Sequence, residues 1–567
     1  MSDYDLKITN GLIVDGSGAP GYAGEIGIRD GKLVAVGAAP GTAKETIDAG
    51  GHVVAPGFVD IHTHYDAQII WDRMLTISPW HGVTSVVMGN CGFSVAPTRP
   101  QHRDVIINTL ENVEGMAAAA LQEGLGEVWP FETFPEYLDA IEQRGMAINV
   151  GAMIGHTALR TYVMGEDATE REATPAEVAE MQGHVREAMQ AGAIGFATSK
   201  APTHVGYKGR PVPSRAASFE EICALAGELK SAGRGGVIEV TVGRDLSFDE
   251  FATLSEVSGC PVSWTALLAG IALGGGGSAH DQLVRSSEMV RQGHNVVPQV
   301  SPRALQFEYQ LRAPFVFEPI RVFKPVSEAD FEGKKALYAD PAFRQAFWEK
   351  MDKGVPETFR NNFLATVVSE FTPDPALNER KVVDIAAERG VTPIDVIFDL
   401  GLQTELQARF RMPVANANED EVTELLQSKD VVLGLSDAGA HASQLCDACA
   451  STYLLRRWVR EKGVLTLEEA VRMLTSRPAE VFGITDRGRL KQGLAADVVI
   501  FDPETVSDGP LQRVRDFPGG ADRLISEATG IDAVIVNGTL LRRDNKDALD
   551  TAGALPGRLL RNGHAAA

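Results

Sequence analysis

A chain of 567 residues, 44% apolar and 23% charged, has an ordinary globular composition and enough length for one large domain with satellites. Its formal charge of -23 argues against a basic face, and so against nucleic acid or an anionic membrane as partner. Five cysteines and an acidic, polar opening at Met1–Asp5 point to a reducing, cytoplasmic setting, and no apolar run reaches the roughly 18 residues that cross a bilayer.

Residues 5–55 hold short alternating segments, Leu6–Ile8, Leu12–Asp15, Glu25–Ile28 and Lys32–Val36, parted by turns such as Gly16-Ser17-Gly18 and Asp30-Gly31. This is the pattern of antiparallel strands and hairpins. It returns in Asp497–Phe501 and Ala533–Gly538, so residues 1–55 and 480–545 are expected to pair into one small β-sandwich domain built from both chain ends.

From residue 58 the rhythm becomes strand, loop, helix. Strands are expected at 58–64, 83–91, 147–155, 193–199, 236–242, 261–268, 295–301 and 431–437. Between them lie helices such as Pro175–Gln190, Phe219–Ser231 and His280–Gln292, preceded by the capping residues Thr174, Ser218 and Ser278. The α/β pattern predicts a (β/α)8 TIM-like barrel over residues 56–479, with its chemistry at the C-terminal strand ends, where His64, Cys91, Lys200, Glu239 and Asp437 fall. Residues 302–420, rich in aromatic and charged side chains, interrupt the barrel and are expected to fold as an insertion or lid. Residues 546–567 form a C-terminal extension, loose or docked, with no assigned chemistry.

The strongest chemical signal is Pro56-Gly57-Phe58-Val59-Asp60-Ile61-His62-Thr63-His64. On an extended chain His62 and His64 share one face, about 7 Å apart along the strand, which makes a metal half-site. A lone His-x-His is as often an ordinary pair of polar residues, and its neighbours decide the matter. Val83–Met88 leads through Gly89-Asn90 to Cys91, whose thiolate would be a strong ligand although free cysteine is more often a small buried hydrophobe. Leu433–His441 delivers Asp437 among small residues. Such a carboxylate binds metal or moves a proton from attacking water to a leaving amine, unless it merely caps a turn.

His156, just past a strand, is a substrate contact or a satisfied structural histidine. Lys200 is a carbamylated metal bridge, a partner for a substrate carboxylate, or a solvated loop cation. Cys446 and Cys449 have CxxC spacing without a second pair, so core packing is the default. Gly274–Gly277 lacks the lysine of a phosphate loop and is read as a flexible loop.

These motifs, with Gly89-Asn90-Cys91-Gly92, Val150–His156 and Ser436–His441, resemble the amidohydrolase superfamily, and within it the N-acyl-D-amino-acid deacylase branch. Thr475–Ala479 and Gly493–Val499 resemble that family's return to the small β-domain. The resemblance implies a zinc-dependent hydrolase with His62, His64 and Cys91 as ligands and Asp437 as acid/base. It also implies a histidine at the end of strand five and a histidine pair with a lysine on strand six. This sequence has Glu239 in the first place and Pro261–Ala266 without histidine or lysine in the second.

The expected metal set is therefore His62, His64, Cys91, Asp437 and Glu239, holding one Zn2+ with two as the alternative. His156, Lys200 and Arg303 are the expected substrate contacts, with Arg215 and Arg244 as further anion partners. The expected reaction is hydrolysis of an amide or related C–N bond of a small molecule. Ester or C–C cleavage, decarboxylation, or a catalytically inactive barrel are the alternatives, and a homo-oligomer is compatible with the sequence.

Overall fold

Eight short parallel strands organise the centre of the chain. In the computed structural model, which describes residues 2–206, 209–231, 235–272, 277–318 and 320–565, they are β1 (Phe58–Asp60), β2 (Val83–Met88), β3 (Asn149–Gly155), β4 (Gly195–Ser199), β5 (Val237–Thr241), β6 (Val262–Thr265), β7 (Val296–Val300) and β8 (Val432–Leu433). Neighbours in sequence are neighbours in the sheet. Thr63 bridges to Ala438 and the His64 N–H donates to the Ala438 carbonyl at 2.7 Å, drawing the end of β1 to the segment after β8. The strands are almost wholly buried, as the Val- and Ile-rich runs of a parallel sheet require when helices cover it. The covering helices start at the expected caps. Thr174 with Glu177 and Ser278 with Asp281 form capping boxes on Pro175–Ala191 and Ala279–Arg291, each satisfying two otherwise orphaned amides.

The two ends of the chain share one nine-stranded sheet. Its seam is Val53–Pro56 against Val498–Phe501, antiparallel, with Val54 opposite Ile500. Leu6, Ile8, Ile26, Ile28, Val54, Val498, Ile500 and Ile535 form its core. Pro56 leads almost directly into β1, so the sheet fixes where the first barrel strand starts.

The C-terminal extension is docked. Gly557 N–H donates to Met146 O at 2.8 Å and Asn562 N–H to Gly192 O at 2.9 Å, just before β3 and β4, which places the segment at the barrel end opposite the strand C-termini. Leu560, 0% exposed, packs in one cluster with Val59, Ile61, Val87, Met153 and Ile194.

Arg303–Glu419 is a second compact unit. It has a three-stranded antiparallel sheet, Leu305–Gln310, Arg409–Ala415 and Val367–Glu370. Its core is aromatic: the Phe347 and Phe398 rings stack at 5.9 Å and Phe323 meets Phe347 at 5.0 Å. No helix among the described residues is long and apolar enough to cross a membrane.

Replacing Leu560 by Ala should lower the free energy of unfolding by about 2–5 kcal/mol, the cost of a large-to-small change in a packed core. A denaturation midpoint equal to that of the unaltered chain would show that the extension does not close the barrel.

Candidate metal centre

His62 and His64 stand just past the end of β1, 1% and 3% exposed, with ring centroids 5.3 Å apart. After β2 the chain turns sharply through Asn90–Gly92, and Cys91 itself adopts a left-handed backbone, φ 56°. That conformation costs a non-glycine residue about 1–2 kcal/mol. It is held by the Cys91 N–H, which donates to Glu239 Oε2 at 2.7 Å. The turn aims Cys91 Sγ to within 3.5 Å of His62 Nε2. After β8, Asp437 takes φ 46° and places Oδ1 3.2 Å from His62 Nε2 and 3.8 Å from His64 Nε2. Gly439, at φ 96°, permits this approach, because a Cβ there would lie 2.7 Å from the His64 carbonyl oxygen. One donor atom from each of His62, His64 and Cys91 lies within 4.8 Å of the others.

The surrounding hydrogen bonds orient these groups. His62 Nδ1 meets Gln299 Oε1 at 2.8 Å, and Gln299 Nε2 donates to Ser263 Oγ at 3.0 Å. An amide oxygen only accepts, so Nδ1 carries the proton and the Nε2 lone pair faces Cys91 and Asp437. Glu239 stands at the strand-five position where the resemblance implies a histidine. It is 0% exposed, and its second oxygen accepts from Thr265 Oγ1 at 3.3 Å.

Burial dominates the electrostatics. It pushes Asp437 up to about 7, Glu239 up to about 8, and Glu114 well above the usual carboxylate range. It also lowers His62 to about 4 and His64 well below the normal imidazole value, and raises the Cys91 thiol. Among the described residues, the basic groups within ion-pair distance of Asp437 and Glu114 are imidazoles that this burial keeps neutral. Several acids, two neutral imidazoles and a thiol in a low-dielectric pocket make a donor set that fits a divalent cation, which would supply the missing positive charge.

The structure does not bring the expected substrate contacts to this cluster. His156 is 0% exposed, with Nδ1 on Thr198 Oγ1 at 2.8 Å and Nε2 on Glu221 Oε1 at 2.9 Å. Arg160 Nη1 also bonds Glu221, so the imidazole belongs to a closed buried network. Lys200 Nζ donates to the carbonyls of Arg215 and Ala217, which ties down a loop. Arg303 opens the second unit, where its carbonyl accepts from Asn416 Nδ2 at 3.1 Å. Arg215 Nη1 holds the carbonyls of Pro202 and His204, and Arg244 is exposed. Cys446 and Cys449 are buried and unbridged. Of the glycine run, residues 274–276 lie outside the described residues.

Three neighbours of the site went unnoticed in the sequence: Gln299, Ser263 and Glu114. Gln299 and Ser263 carry a faint signal, each a polar residue inside an otherwise apolar strand. Glu114 carries none, since Val113-Glu114-Gly115 reads as any solvated helix end.

Eight parallel strands with two histidines, a cysteine and an aspartate converging at one rim define a metal-site barrel of the hydrolase type. The chain belongs to the amidohydrolase family, whose model matches residues 45–541. It is 30% identical to a D-aminoacylase of Alcaligenes xylosoxydans xylosoxydans over 94% of each chain. Among solved structures, a D-aminoacylase described by its binuclear metal centre is 26% identical with a TM-score of 0.65, over 98% of this chain and 100% of that one. An N-acyl-D-glutamate deacylase from Bordetella bronchiseptica, complexed with zinc and a phosphonate mimic of the tetrahedral intermediate, is 27% identical with a TM-score of 0.64, over 98% of this chain and 99% of that one. The family and barrel implied by the sequence motifs stand.

Replacing Glu239 by Ala should destabilise the chain by about 1–3 kcal/mol, because the Cys91 N–H is left buried without an acceptor. Glu239→Gln keeps an acceptor and should cost less. Equal losses in the two variants, measured by denaturant unfolding, would contradict this role.

Proposed function

We propose that this amidohydrolase hydrolyses an amide or related C–N bond of a small molecule, in the manner of an N-acyl-D-amino-acid deacylase, with one divalent ion. The observation that carries the reading is the gathering of His62, His64 and Cys91 donors within 4.8 Å, with Asp437 Oδ1 3.2 Å from His62 Nε2. His62, His64 and Cys91 would hold the ion, with Asp437 beside them. A zinc ion held there would supply Lewis acidity toward the scissile carbonyl and toward water, whose pKa such an ion brings from about 16 to about 7.

The chain's own residues do the rest. Asp437 takes the proton from the attacking water as its oxygen bonds to the carbonyl carbon. It returns that proton to the leaving nitrogen as the C–N bond breaks, so the carboxylate ends as it began. Gln299 keeps the Nδ1 proton on His62 and so keeps Nε2 available. Two facts favour one ion over two. Both oxygens of Glu239 are already engaged by Cys91 and Thr265, so it serves as a clamp on the Cys91 turn. Strand β6 offers hydroxyls, Ser263 and Thr265, which are poor substitutes for imidazole.

Replacing Asp437 by Asn should lower kcat by about 10²–10⁴-fold, the usual worth of a positioned general acid–base, while zinc content stays at that of the unaltered enzyme. Undiminished turnover in the variant would end this mechanism. On a panel of N-acyl-D-amino acids, neutral amides, esters and β-dicarbonyl compounds, amides should be cleaved and a chelator should stop the reaction until zinc is restored. Activity confined to esters or β-dicarbonyl compounds would overturn the C–N assignment.

A further inference from the structure

We infer that Glu114 is a positioning residue for this centre: its side-chain oxygen accepts the Nδ1–H of His64, keeps that proton on Nδ1, and thereby fixes which nitrogen the ring turns toward Asp437. The inference rests on the metal-site reading above.

Glu114 stands where a carboxylate is costly. It is the last residue of the helix Arg103–Glu114 and 3% exposed. There the negative end of the helix dipole and the absence of water both oppose its charge. A side chain so placed needs a proton donor close by.

The donor at hand is His64. Its Nδ1 is buried and has no hydrogen-bond partner among the described residues, while Glu114 Oε2 lies 3.7 Å away, just beyond bonding length. The other ring nitrogen, Nε2, faces Asp437 Oδ1 at 3.8 Å. His62 shows the completed version of the same arrangement, with Nδ1 on Gln299 Oε1 and Nε2 toward Cys91 and Asp437. Histidines that ligate metals habitually give their second N–H to a carboxylate or carbonyl, which sets the tautomer and the ring orientation.

The backbone shows that this placement is built in. The helix stops on Gly115, left-handed at φ 58°, where a Cβ would lie 3.1 Å from His441 Nδ1. The His441 N–H donates to the Glu114 carbonyl, and His441 Nε2 lies 4.0 Å from Glu114 Oε2. The turn after Asp437 therefore anchors the residue that orients His64, and the two sides of the site are set by one contact.

The test is zinc binding by competition with a chromophoric chelator on the full chain and on Glu114→Leu and Glu114→Gln variants, with thermal unfolding of the zinc-free proteins alongside. Leucine keeps the volume and loses the acceptor, whereas glutamine keeps an acceptor oxygen, as Gln299 does for His62. We expect the leucine variant to bind zinc about 10–100-fold more weakly with an unfolding temperature no lower than that of the unaltered chain, and the glutamine variant to recover most of the affinity. Zinc affinity within twofold of the unaltered chain in the leucine variant, or equal losses in both variants, would overturn the assignment. Should the leucine variant not fold, ¹⁵N-histidine spectra of the unaltered zinc-loaded chain decide: a His64 Nδ1–H tautomer supports it and an Nε2–H tautomer overturns it. An unaltered chain that takes up no zinc would defeat the metal reading itself, a result separable from all of these.

Discussion

The site depends on the closure of the barrel between its first and last strands. The His64 amide reaches the Ala438 carbonyl at 2.7 Å, and Ser436 Oγ donates to the His62 carbonyl at 3.1 Å. These two bonds bring the histidine pair and Asp437, separated by most of the chain, to one rim. The segment after β8 can approach so closely only because it leaves regular strand geometry. Leu435, Asp437 and His441 all have positive φ, and Gly439 rests on the His64 backbone. Several such residues cost about 1–3 kcal/mol each and persist where surrounding structure over-determines them.

Electrostatics then makes the closed rim useful. Glu114, Glu239 and the two imidazoles are buried and Asp437 is half-buried beside them, and this setting holds the acids toward protonation and the histidines toward neutrality. The same burial that penalises each acid alone would strengthen its attraction to a cation placed among them. The hydrogen bonds from His62 to Gln299 and from Cys91 to Glu239 keep the donors pointed inward.

Much of this was legible in the residues. The eight strands announce themselves because a parallel sheet covered on both faces needs unbroken apolar runs, and the two halves of the small domain share one texture because they share one sheet. Strand ends were less legible. The first and last strands are shorter than their apolar runs, Phe58–Asp60 and Val432–Leu433, since the chain must leave the ladder there to close the rim. His62, His64, Cys91 and Asp437 were readable as a constellation of donor types at strand ends. His156 and Lys200 were read as substrate contacts, whereas the structure pairs them with Glu221 and with the carbonyls of Arg215 and Ala217 on other elements, and such pairings leave no trace in local sequence. Glu114 was hidden for the same reason.

The shared sheet also sets an order of events during synthesis. Val53–Pro56, which leads into the first barrel strand, pairs with Val498–Phe501, and Leu560 seals the far end of the barrel only later still. At about 5–20 residues per second the ribosome needs on the order of tens of seconds to make the stretch between the two sheet strands. Throughout that interval the core of the early strands lacks Val498, Ile500, Ala533 and Ile535. The sheet that positions the first barrel strand is therefore completed by residues made more than four hundred positions later.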